Sequence, residues 1–492
     1  MIVDTLTSSS DVLNNYISRD KKKKKQSLVA VRYYASEHDI MQSKIYIIND
    51  QGQAVEDIYA TNTRISHPFF TELVDQVVSY ILSKPVEVKT KDEEFQKRLD
   101  EYWNEDAQLF LQKMLQGASI KASEYAFVRT NSENRIRFQV SDSVKTFEVL
   151  DEFGEIGAII RYYTSPMIVD DKIKDVDMCE VWDSEQVFYF VRNDGNDWVL
   201  NRDVAVNPRP HVVASYQDDD GEEILLPRAY GEIPFFKLLN NDNLKSDLDP
   251  IKNIIDDYDI MSCHLSNNLQ DFSEALYVVK GYEGENQQTL KQALKDKKMV
   301  RVGNDGTNQG DVDIKTFNIP VEGRKTKMEL DQSAIYKFGM GFDAALIANS
   351  SGNVTNVQIA AGYSLLDMKA AKKEKHLRTL IRWMNRWIVK NINELYGTNY
   401  DDKDIEVIIT KETTVNKKEL VDIEKIKQEI KDSRTTNLLN MIDLLDEETI
   451  IETLADILEI DVNTLRKRIP TVNKESVKAV IDTDDSASSP EN

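Results

Sequence analysis

One long helical segment constrains the fold more than any other feature of the sequence. The stretch from Val354 to Tyr396 contains no proline, and its only internal glycine is Gly362. Asn353 or Thr355 can cap its start, because a short side-chain oxygen there accepts a hydrogen bond from a free backbone N–H. Gly397 supplies the left-handed residue on which helices often end. At 1.5 Å per residue the helix would be roughly 60 Å long, so other elements must pack along it.

Two faces of this helix differ in chemistry. Apolar residues recur at spacings of three and four, which predicts a buried face: Ile381, Met384, Ile388, Ile392 and Leu395. Basic residues recur every four positions beside it and form what we call the basic row: Arg378, Arg382, Arg386 and Lys390. The segment has eight Lys or Arg against three Asp or Glu, a net charge of +5, whereas the whole chain carries −23. The helix is therefore the basic element of an acidic protein.

Composition narrows the class of protein. A chain of 492 residues can form about two to four domains. No apolar run approaches the ~20 residues of a membrane span, so we expect no membrane partner. The polar start up to Lys25 has no apolar core of a secretory signal. Cys179 and Cys263 are too few for a disulfide framework and fit a reducing compartment. The excess of acid argues against a protein that grips nucleic acid over much of its surface.

The N-terminal third begins with a predicted arm and continues with helices. Residues 1–29 are predicted to form a flexible basic arm, in which Lys21 to Lys25 are solvated or, alternatively, touch nucleic acid or the capsid. Apolar periodicity predicts helices over Ile65 to Leu82 and over Glu93 to Leu115. From Ala118 to about Phe236, short β-branched and aromatic runs alternate with turn signals, which predicts antiparallel strands.

Two acidic clusters raise the question of metal binding. Asp218 to Asp220 lie in a turn context, where a solvated loop is the favoured interpretation and a metal site the alternative. Asp256, Asp257 and Asp259 lie near the start of a predicted helix over residues 250–272. They could bind Mg²⁺, but no phosphate-binding loop accompanies them.

The second half is organised around an insert between two helices. A β-containing insert, Ala275 to Phe317, is followed by a helix over about Val321 to Phe338, and these flanking helices could pair antiparallel. Gly339 and Gly341 then form a candidate hinge before the long helix. Beyond Gly397, a short strand is predicted over Ile405 to Thr410.

The C-terminal part is predicted to be helical and then disordered. Short helices are predicted in four stretches: Lys417 to Lys431, Thr436 to Leu445, Glu447 to Leu458 and Val462 to Lys467. A polar tail follows over residues 470–492. The fold class is α+β and mainly helical.

Catalytic signatures are missing. The sequence contains no GxxxxGK[ST], GxGxxG or HExxH motif, and its five histidines show no ligand spacing. No serine or cysteine lies in a known nucleophile motif. We therefore expect no enzyme activity, no metal and no cofactor.

Several ordered motifs resemble the portal proteins of tailed bacteriophages, specifically those with long, non-contractile tails and Gram-positive hosts. The N-terminal motifs are YYASEHDI from Tyr33, NTRISHPF from Asn62 and VDQVVSYILSKPV from Val74. The central motifs are EIPFF from Glu232, NND from Asn240, SDLD from Ser246 and IIDDYD from Ile254. NSSGNV from Asn349 then precedes the basic helix. Ser36 and Ser83 depart from the pattern, because the family has glycine there.

The resemblance implies a portal fold assembled as a ring of about twelve subunits. Carried onto this chain, it divides the sequence into a wing (30–245), a first stem helix (246–272), a clip (273–320), a second stem helix (321–341), a tunnel loop (342–356), a long wing helix and strand (357–410) and crown helices (411–469).

The implied function is a conduit for double-stranded DNA at one capsid vertex, during packaging and ejection. The implied partners are the terminase, the head–tail adaptor and the major capsid and scaffolding proteins, in the virion and, during assembly, in the host cytoplasm. The tunnel loop would face DNA through Leu346, Ile347, Asn349, Ser350, Ser351, Gly352 and Asn353. The basic row would face a neighbouring subunit or DNA, and Trp383 and Trp387 beside it favour a packed subunit interface.

Two alternatives stay open at this point. A non-viral oligomeric scaffold or adaptor would also be acidic and free of catalytic motifs. A divalent-metal nuclease would use Asp256, Asp257 and Asp259.

Overall fold

A computed structural model shows an α+β chain divided into two compact units. The first comprises Met1–Ala344 with Gly362–Glu412, and the second comprises Ala345–Ala361 with Thr413–Asn492. The structure describes residues 2–48, 51–58, 60–131, 134–169, 172–192, 197–204, 206–217, 223–271, 276–280, 311–315, 321–344, 356–411, 417–458 and 462–468. Several predictions lie outside these residues: the caps Asn353 and Thr355, Asp218 to Asp220, the tail 470–492 and most of the predicted insert.

The N-terminal 34 residues form three helices where the sequence predicts a mobile arm. They are α1 (Ile2–Ser8), α2 (Ser10–Lys23) and α3 (Lys25–Tyr34). Leu6, Leu13 and Ile17 are buried against a β-sheet, because they lie on one side of α1 and α2. The lysine run does not mark a mobile segment, since Lys24 is half-buried and pairs with the buried Asp20 at 2.6 Å. The arm prediction is wrong for this part of the chain.

Helices α4 to α6 follow. They are α4 (Phe69–Ile81), α5 (Glu93–Asp100) and α6 (Glu105–Lys121). The helix predicted over Glu93 to Leu115 is thus two helices. The break comes where the side chain of Asn104 accepts a hydrogen bond from the Ala107 amide and starts a new helix.

The predicted antiparallel β region is confirmed. β14 (Phe235–Leu239), β4 (Ser123–Thr130) and β5 (Ile136–Ser141) form one sheet, in that order. The second sheet has the order β10-β9-β8-β7-β6, with β11 on β9: β6 (Thr146–Leu150), β7 (Ile156–Val169), β8 (Lys172–Trp182), β9 (Gln186–Arg192), β10 (Trp198–Leu200) and β11 (Arg209–Pro210). Small two-stranded sheets pair β1 (Tyr46–Ile48) with β2 (Ala54–Glu56) and β12 (Val212–Gln217) with β13 (Glu223–Arg228).

Two helices flank the insert as predicted. α7 (Lys252–Asp271) and α8 (Val321–Gly339) contact each other, and Lys327 of α8 pairs with Asp257 of α7. Between them, β15 (Leu276–Lys280) pairs antiparallel with β16 (Asp311–Lys315). β16 was not predicted, although DVDIK alternates polar and apolar residues as a half-buried strand does.

The long helix is confirmed as α9 (Asn356–Tyr396), of 41 residues, and Gly397 ends it with φ +64°. Its predicted apolar face is buried at Ile381, Met384, Ile388 and Ile392, which are at most 1% exposed. Leu395, at the end of that face, is partly buried. The four buried residues join one core with α4, α6 and the β4–β5 pair. After α9, β17 (Glu406–Ile408) pairs with β3 (Glu87–Lys89) and returns the chain to the N-terminal half.

The described helices of the second unit have a separate core. They are α10 (Lys417–Met441), α11 (Glu447–Leu458) and α12 (Val462–Arg468), with Ile450, Leu454 and Leu465 buried between them. α10 joins two helices that the sequence predicts separately. Among the described residues, no helix has the length and hydropathy of a membrane span.

Glycine positions explain one departure from the family pattern. Ser36 adopts a left-handed conformation with φ +60°, which favours glycine because the side chain crowds the backbone. Ser83, the other departure, is not among the described non-glycine residues with positive φ.

Gly339 and Gly341 mark a close approach between α8 and α4. A Cβ atom at Gly341 would lie 2.0 Å from Leu73 Cδ2, and one at Gly339 would lie 2.6 Å from Leu73 Cδ1. Neither glycine has a positive φ, whereas Met340 between them has φ +55°. These glycines therefore serve packing in this structure, and their role as a hinge stays a prediction.

We expect Gly341→Ala to destabilise the protein by about 1–3 kcal/mol, because its methyl group would overpack against Leu73. Gly323→Ala in α8 is the control for adding a methyl group at a glycine, since nothing lies within 4 Å of its Cβ position. It should be neutral or stabilise by up to about 1 kcal/mol. Urea unfolding measures both, and adding Leu73→Ala to Gly341→Ala should recover part of the loss. Equal effects at both glycines would contradict the packing role.

Candidate functional site at the helix junction

Four elements of the first unit meet at a buried ionic cluster, which we call the junction network: Ser119, Asn240, Asp247, Lys369 and Lys373. The Nζ atoms of both lysines, on α9, lie 3.0 Å from Oδ2 of Asp247, in the segment that leads into α7. Asn240 Nδ2 donates to Asp247 Oδ1 at 2.8 Å, and Lys373 also donates to Asn240 and to Ser119 of α6.

The network also reaches the end of α8. Lys369 Nζ donates to the carbonyl oxygen of Gly339 at 2.9 Å. The side chains of Asp247, Lys369 and Lys373 are only 10%, 9% and 4% exposed. A single buried cluster therefore joins α6, α8, α9 and the segment before α7.

Burial and charge act against each other in this network. Burial alone would raise the pKa of Asp247, but Lys369 and Lys373 outweigh it and hold that pKa well below its usual value. Burial lowers the pKa of Lys373 to about 8, in spite of the attraction of Asp247, and repulsion from Lys369 adds to the shift. One carboxylate thus serves two ammonium groups, so the cluster has surplus positive charge when Lys373 is protonated.

A second buried contact fixes the N-terminal segment to α7. Asp259 is fully buried. Its Oδ2 atom lies 2.6 Å from Nδ1 of His38, and its Oδ1 atom lies 2.7 Å from Nδ1 of His67. The backbone amide of His67 also donates to it at 3.1 Å. Burial would raise the pKa of Asp259, but its contacts with both histidines lower it below the usual value. Spacing did not reveal this pair, since 28 positions separate the two histidines in sequence.

The three aspartates near the start of α7 do not converge on one site. Asp256 receives a hydrogen bond from Tyr33 and pairs with Lys252 at 2.7 Å. Asp257 pairs with Lys327, and Asp259 with the two histidines. Among the described residues, no group of three His, Cys, Asp or Glu side chains could hold a metal ion. Each carboxylate is engaged with a different donor, which removes the basis for the nuclease alternative.

The chain that leaves α8 is clamped to α4 before it reaches residue 345. Gln76 Oε1 accepts from the Phe342 amide at 2.8 Å, and Gln76 Nε2 donates to the Phe342 carbonyl at 2.7 Å. The ring of Phe342 stacks on Tyr363 of α9, with centroids 4.2 Å apart. Both ends of the segment 343–362 are thus held by the same body. The predicted tunnel-loop residues, Leu346 to Asn353, lie outside the described residues.

The basic row is largely engaged within its own chain. Arg378 donates to Glu374 and to the Val407 carbonyl, and Arg386 pairs with Glu232 at 2.6 Å. Lys390 donates to the Tyr230 carbonyl. Arg382 is exposed. That the row faces a neighbour or DNA stays a prediction.

The two tryptophans beside the basic row do not indicate a subunit interface, contrary to the prediction. Trp383 and Trp387 are 8% and 2% exposed and belong to the core of the subunit itself. Trp383 packs near Phe138 and Phe236, and Trp387 contacts Tyr230 edge-on. They therefore give no evidence of a subunit interface.

Comparison with known proteins now decides the class. Residues 13–463 match the family model described as phage portal protein, SPP1 Gp6-like. The chain belongs to this phage portal protein family. The portal protein of Bacillus phage SPP1 is 26% identical over 402 residues, which cover 80% of this chain and 76% of that protein. The portal protein of Clostridium phage phiCD119 is 23% identical over 414 residues, or 79% and 86%.

Family membership carries the function. The chain is a phage portal protein, and a conduit role in DNA packaging follows from the family. The predicted resemblance is confirmed, and the non-viral scaffold alternative is wrong. The portal family is structural, and its description names no enzyme activity.

Sequence reasoning missed the junction network entirely. In the sequence, Asn240 and Asp247 stand out only within the motifs NND and SDLD, and Lys369 and Lys373 only through the net charge of the long helix. One signal was available, because these lysines are four residues apart and alternate with the apolar Leu366, Ala370 and Leu377 on the buried side of α9.

We expect Asp247→Asn to destabilise the portal protein by about 3–5 kcal/mol, because two buried ammonium groups would lose their counter-charge. Asp242→Asn is the matched control nearby, since the side chain of Asp242 is 94% exposed. It should change the free energy of unfolding by less than about 0.5 kcal/mol. Denaturant titration at pH 7 measures both, and a small effect at Asp247 would show that the network is dispensable.

The lowered pKa of Lys373 predicts that the stability of the protein rises with pH. Its pKa is about 8 in the native protein, against the ordinary 10.5 when unfolded. Between these values the unfolded chain holds the extra proton, so the free energy of unfolding should rise by about 1 kcal/mol per pH unit from this group. Lys373→Met should remove that contribution. Unfolding at pH 8.0 to 9.5 measures both slopes, and equal slopes would mean that native Lys373 keeps its proton throughout.

Proposed function

We propose that the chain assembles into a ring of about twelve subunits at one capsid vertex, where double-stranded DNA enters and leaves. The succession of helix α7, strands β15 and β16, helix α8 and long helix α9 carries this proposal. In it, α7 and α8 form a stem, and residues 273–320 form the clip. Residues 342–356 are the tunnel loop, and α10 to α12 form the crown.

The wing comprises the remainder of the first unit. The sequence analysis begins the wing at residue 30, but α1 and α2 bury Leu6, Leu13 and Ile17 on the β6–β10 sheet. The N-terminal helices therefore belong to the wing in this proposal. The junction network lies where the wing, both stem helices and the long helix meet, and it is suited to keep them in fixed relation.

The contacts around residues 343–362 support a loop with anchored ends. Gln76 and Tyr363 hold Phe342, and Lys369 holds the Gly339 carbonyl. A loop anchored in this way would face DNA through small polar residues, Asn349, Ser350, Ser351, Gly352 and Asn353, with Leu346 and Ile347 before them. Small polar groups can touch phosphates without strong ionic attraction, so DNA could slide past.

The partners in this proposal follow the order of events in a virion. The clip docks the terminase during packaging and the head–tail adaptor afterwards. Major capsid and scaffolding proteins surround the ring in the host cytoplasm during assembly. The chain has no phosphate-binding loop, so the energy for packaging comes from another protein.

Native mass spectrometry with negative-stain imaging tests the assembly. We expect a ring of about twelve subunits with a central hole wide enough for a DNA duplex. A compact dimer or tetramer without a channel, at every protein concentration tried, would contradict the proposal. Adding scaffolding protein is the control for a monomer, because a nucleating partner would then convert it into rings.

A further inference from the structure

The solvent side of α9 carries a one-signed surface, which we call the exposed basic face: Lys372, Lys375, Arg382 and Arg386. Together with exposed Thr379, these residues follow one another at spacings of three and four, so they share one side of the helix. Between Lys372 and Arg386, every exposed charged residue of α9 is basic. This face differs from the basic row, because Arg378 and Lys390 are partly buried and bind within the chain.

Three of these cations have no acidic partner within the described part of the chain. Lys372, Lys375 and Arg382 form no ion pair with any residue that the structure describes. Arg386 shows which chemistry the face accepts, since its guanidinium binds the carboxylate of Glu232 at 2.6 Å while remaining 53% exposed. These cations form a surface that fits a carboxylate-rich partner.

The same chain offers such a surface, which we call the acidic face. It comprises the exposed acids of α5 and the start of α6: Asp92, Glu93, Glu94, Asp100, Glu101, Glu105 and Asp106. Only Lys97 and Arg98 oppose them between residues 92 and 106. Asp100 and Glu101 lie at the C-terminal end of α5, where the helix dipole disfavours negative charge. Within the chain, Glu101 pairs with Arg135, and Asp100 accepts a hydrogen bond from the neutral side chain of Gln96 at 2.7 Å. Both acids remain exposed.

Both faces are rigidly connected through α9. Trp103 Nε1 donates to Asn385 Oδ1 at 3.0 Å, and Tyr102 OH donates to Asn391 Oδ1 at 2.7 Å. Both asparagines are buried. With 3.6 residues per turn, Asn391 lies roughly 140° around α9 from the centre of the exposed basic face. The acidic and basic faces thus point in different directions, and one copy cannot satisfy itself.

We propose that the exposed basic face of one subunit docks on the acidic face of the next. This inference rests on the proposed ring and names the surfaces that hold it together. A contact between two different faces of identical chains is heterologous, and it closes into a ring when the angle between the faces is fixed. DNA is the rival partner. It is disfavoured because aligned cations would bind its phosphates by strong ionic attraction, whereas DNA must slide through the proposed conduit.

Charge reversal tests the pairing. Lys375→Glu/Arg382→Glu should leave a folded monomer and raise the protein concentration needed for rings by at least about 100-fold. Asp100→Lys/Asp106→Lys should do the same. The control Lys145→Glu/Lys403→Glu makes the same change in net charge at two exposed lysines outside both faces and should assemble as wild type. Circular dichroism and thermal unfolding check the fold of each variant. If Lys375→Glu/Arg382→Glu does not fold, Lys375→Gln/Arg382→Gln is used in its place.

Mixing the two charge-reversed variants is the decisive step. Each alone carries like charges at every junction, whereas in a mixture both kinds of junction become complementary. We expect mixed rings with equal amounts of the two chains, seen by native mass spectrometry. No rescue on mixing would overturn the proposal. Rings from the basic-face variant alone, with weakened binding to a 30-base-pair duplex, would assign that face to DNA. A wild type without rings would refute the proposed assembly itself, which separates the two failures.

Discussion

The buried carboxylate of Asp247 is the interaction on which the arrangement of the first unit depends. It joins a segment before α7 to two lysines of α9 that lie more than a hundred residues further along the chain. Taking these three charges out of water costs several kcal/mol per ion. The attraction between the charges therefore serves mainly to offset this desolvation cost. The gain is in specificity, because any other register of α9 would leave buried charges without partners. The apolar face alone could slide by one helical turn at a smaller cost.

Helix α7 distributes three acids to three neighbours. Successive residues of a helix differ by about 100° in direction, so Asp257 points away from Asp256. Asp259 lies three residues after Asp256 and nearer to its side of the helix, but it meets a different set of partners. One reaches Tyr33 and Lys252, one reaches Lys327 of α8, and one reaches His38 and His67. A run that resembles a metal site in sequence is therefore a set of three separate attachments. The buried attachment, at Asp259, is also the one with the most hydrogen bonds.

Periodic features were predictable from the sequence, and long-range polar contacts were not. The length of α9, the antiparallel strands and the pair of helices around the insert follow from apolar spacing and turn residues, which are local signals. The packing of α1 and α2 was hidden because polar residues and lysines surround Leu13 and Ile17. The partners of Asp247 and Asp259 come from distant segments, so no local pattern reports them. Trp383 shows a further limit, since a large side chain among basic residues can belong to the core of its own subunit.

The pairing of β15 with β16 has an evolutionary consequence. Its register, from Leu276 opposite Lys315 to Lys280 opposite Asp311, brings the two ends of residues 281–310 together. Closing a loop costs only about 0.6 kcal/mol more for each doubling of its length. Relatives could therefore lengthen, shorten or exchange this segment while the helix pair α7 and α8 stays unchanged. The chain can therefore vary in length at this segment without redesign of the body that holds it.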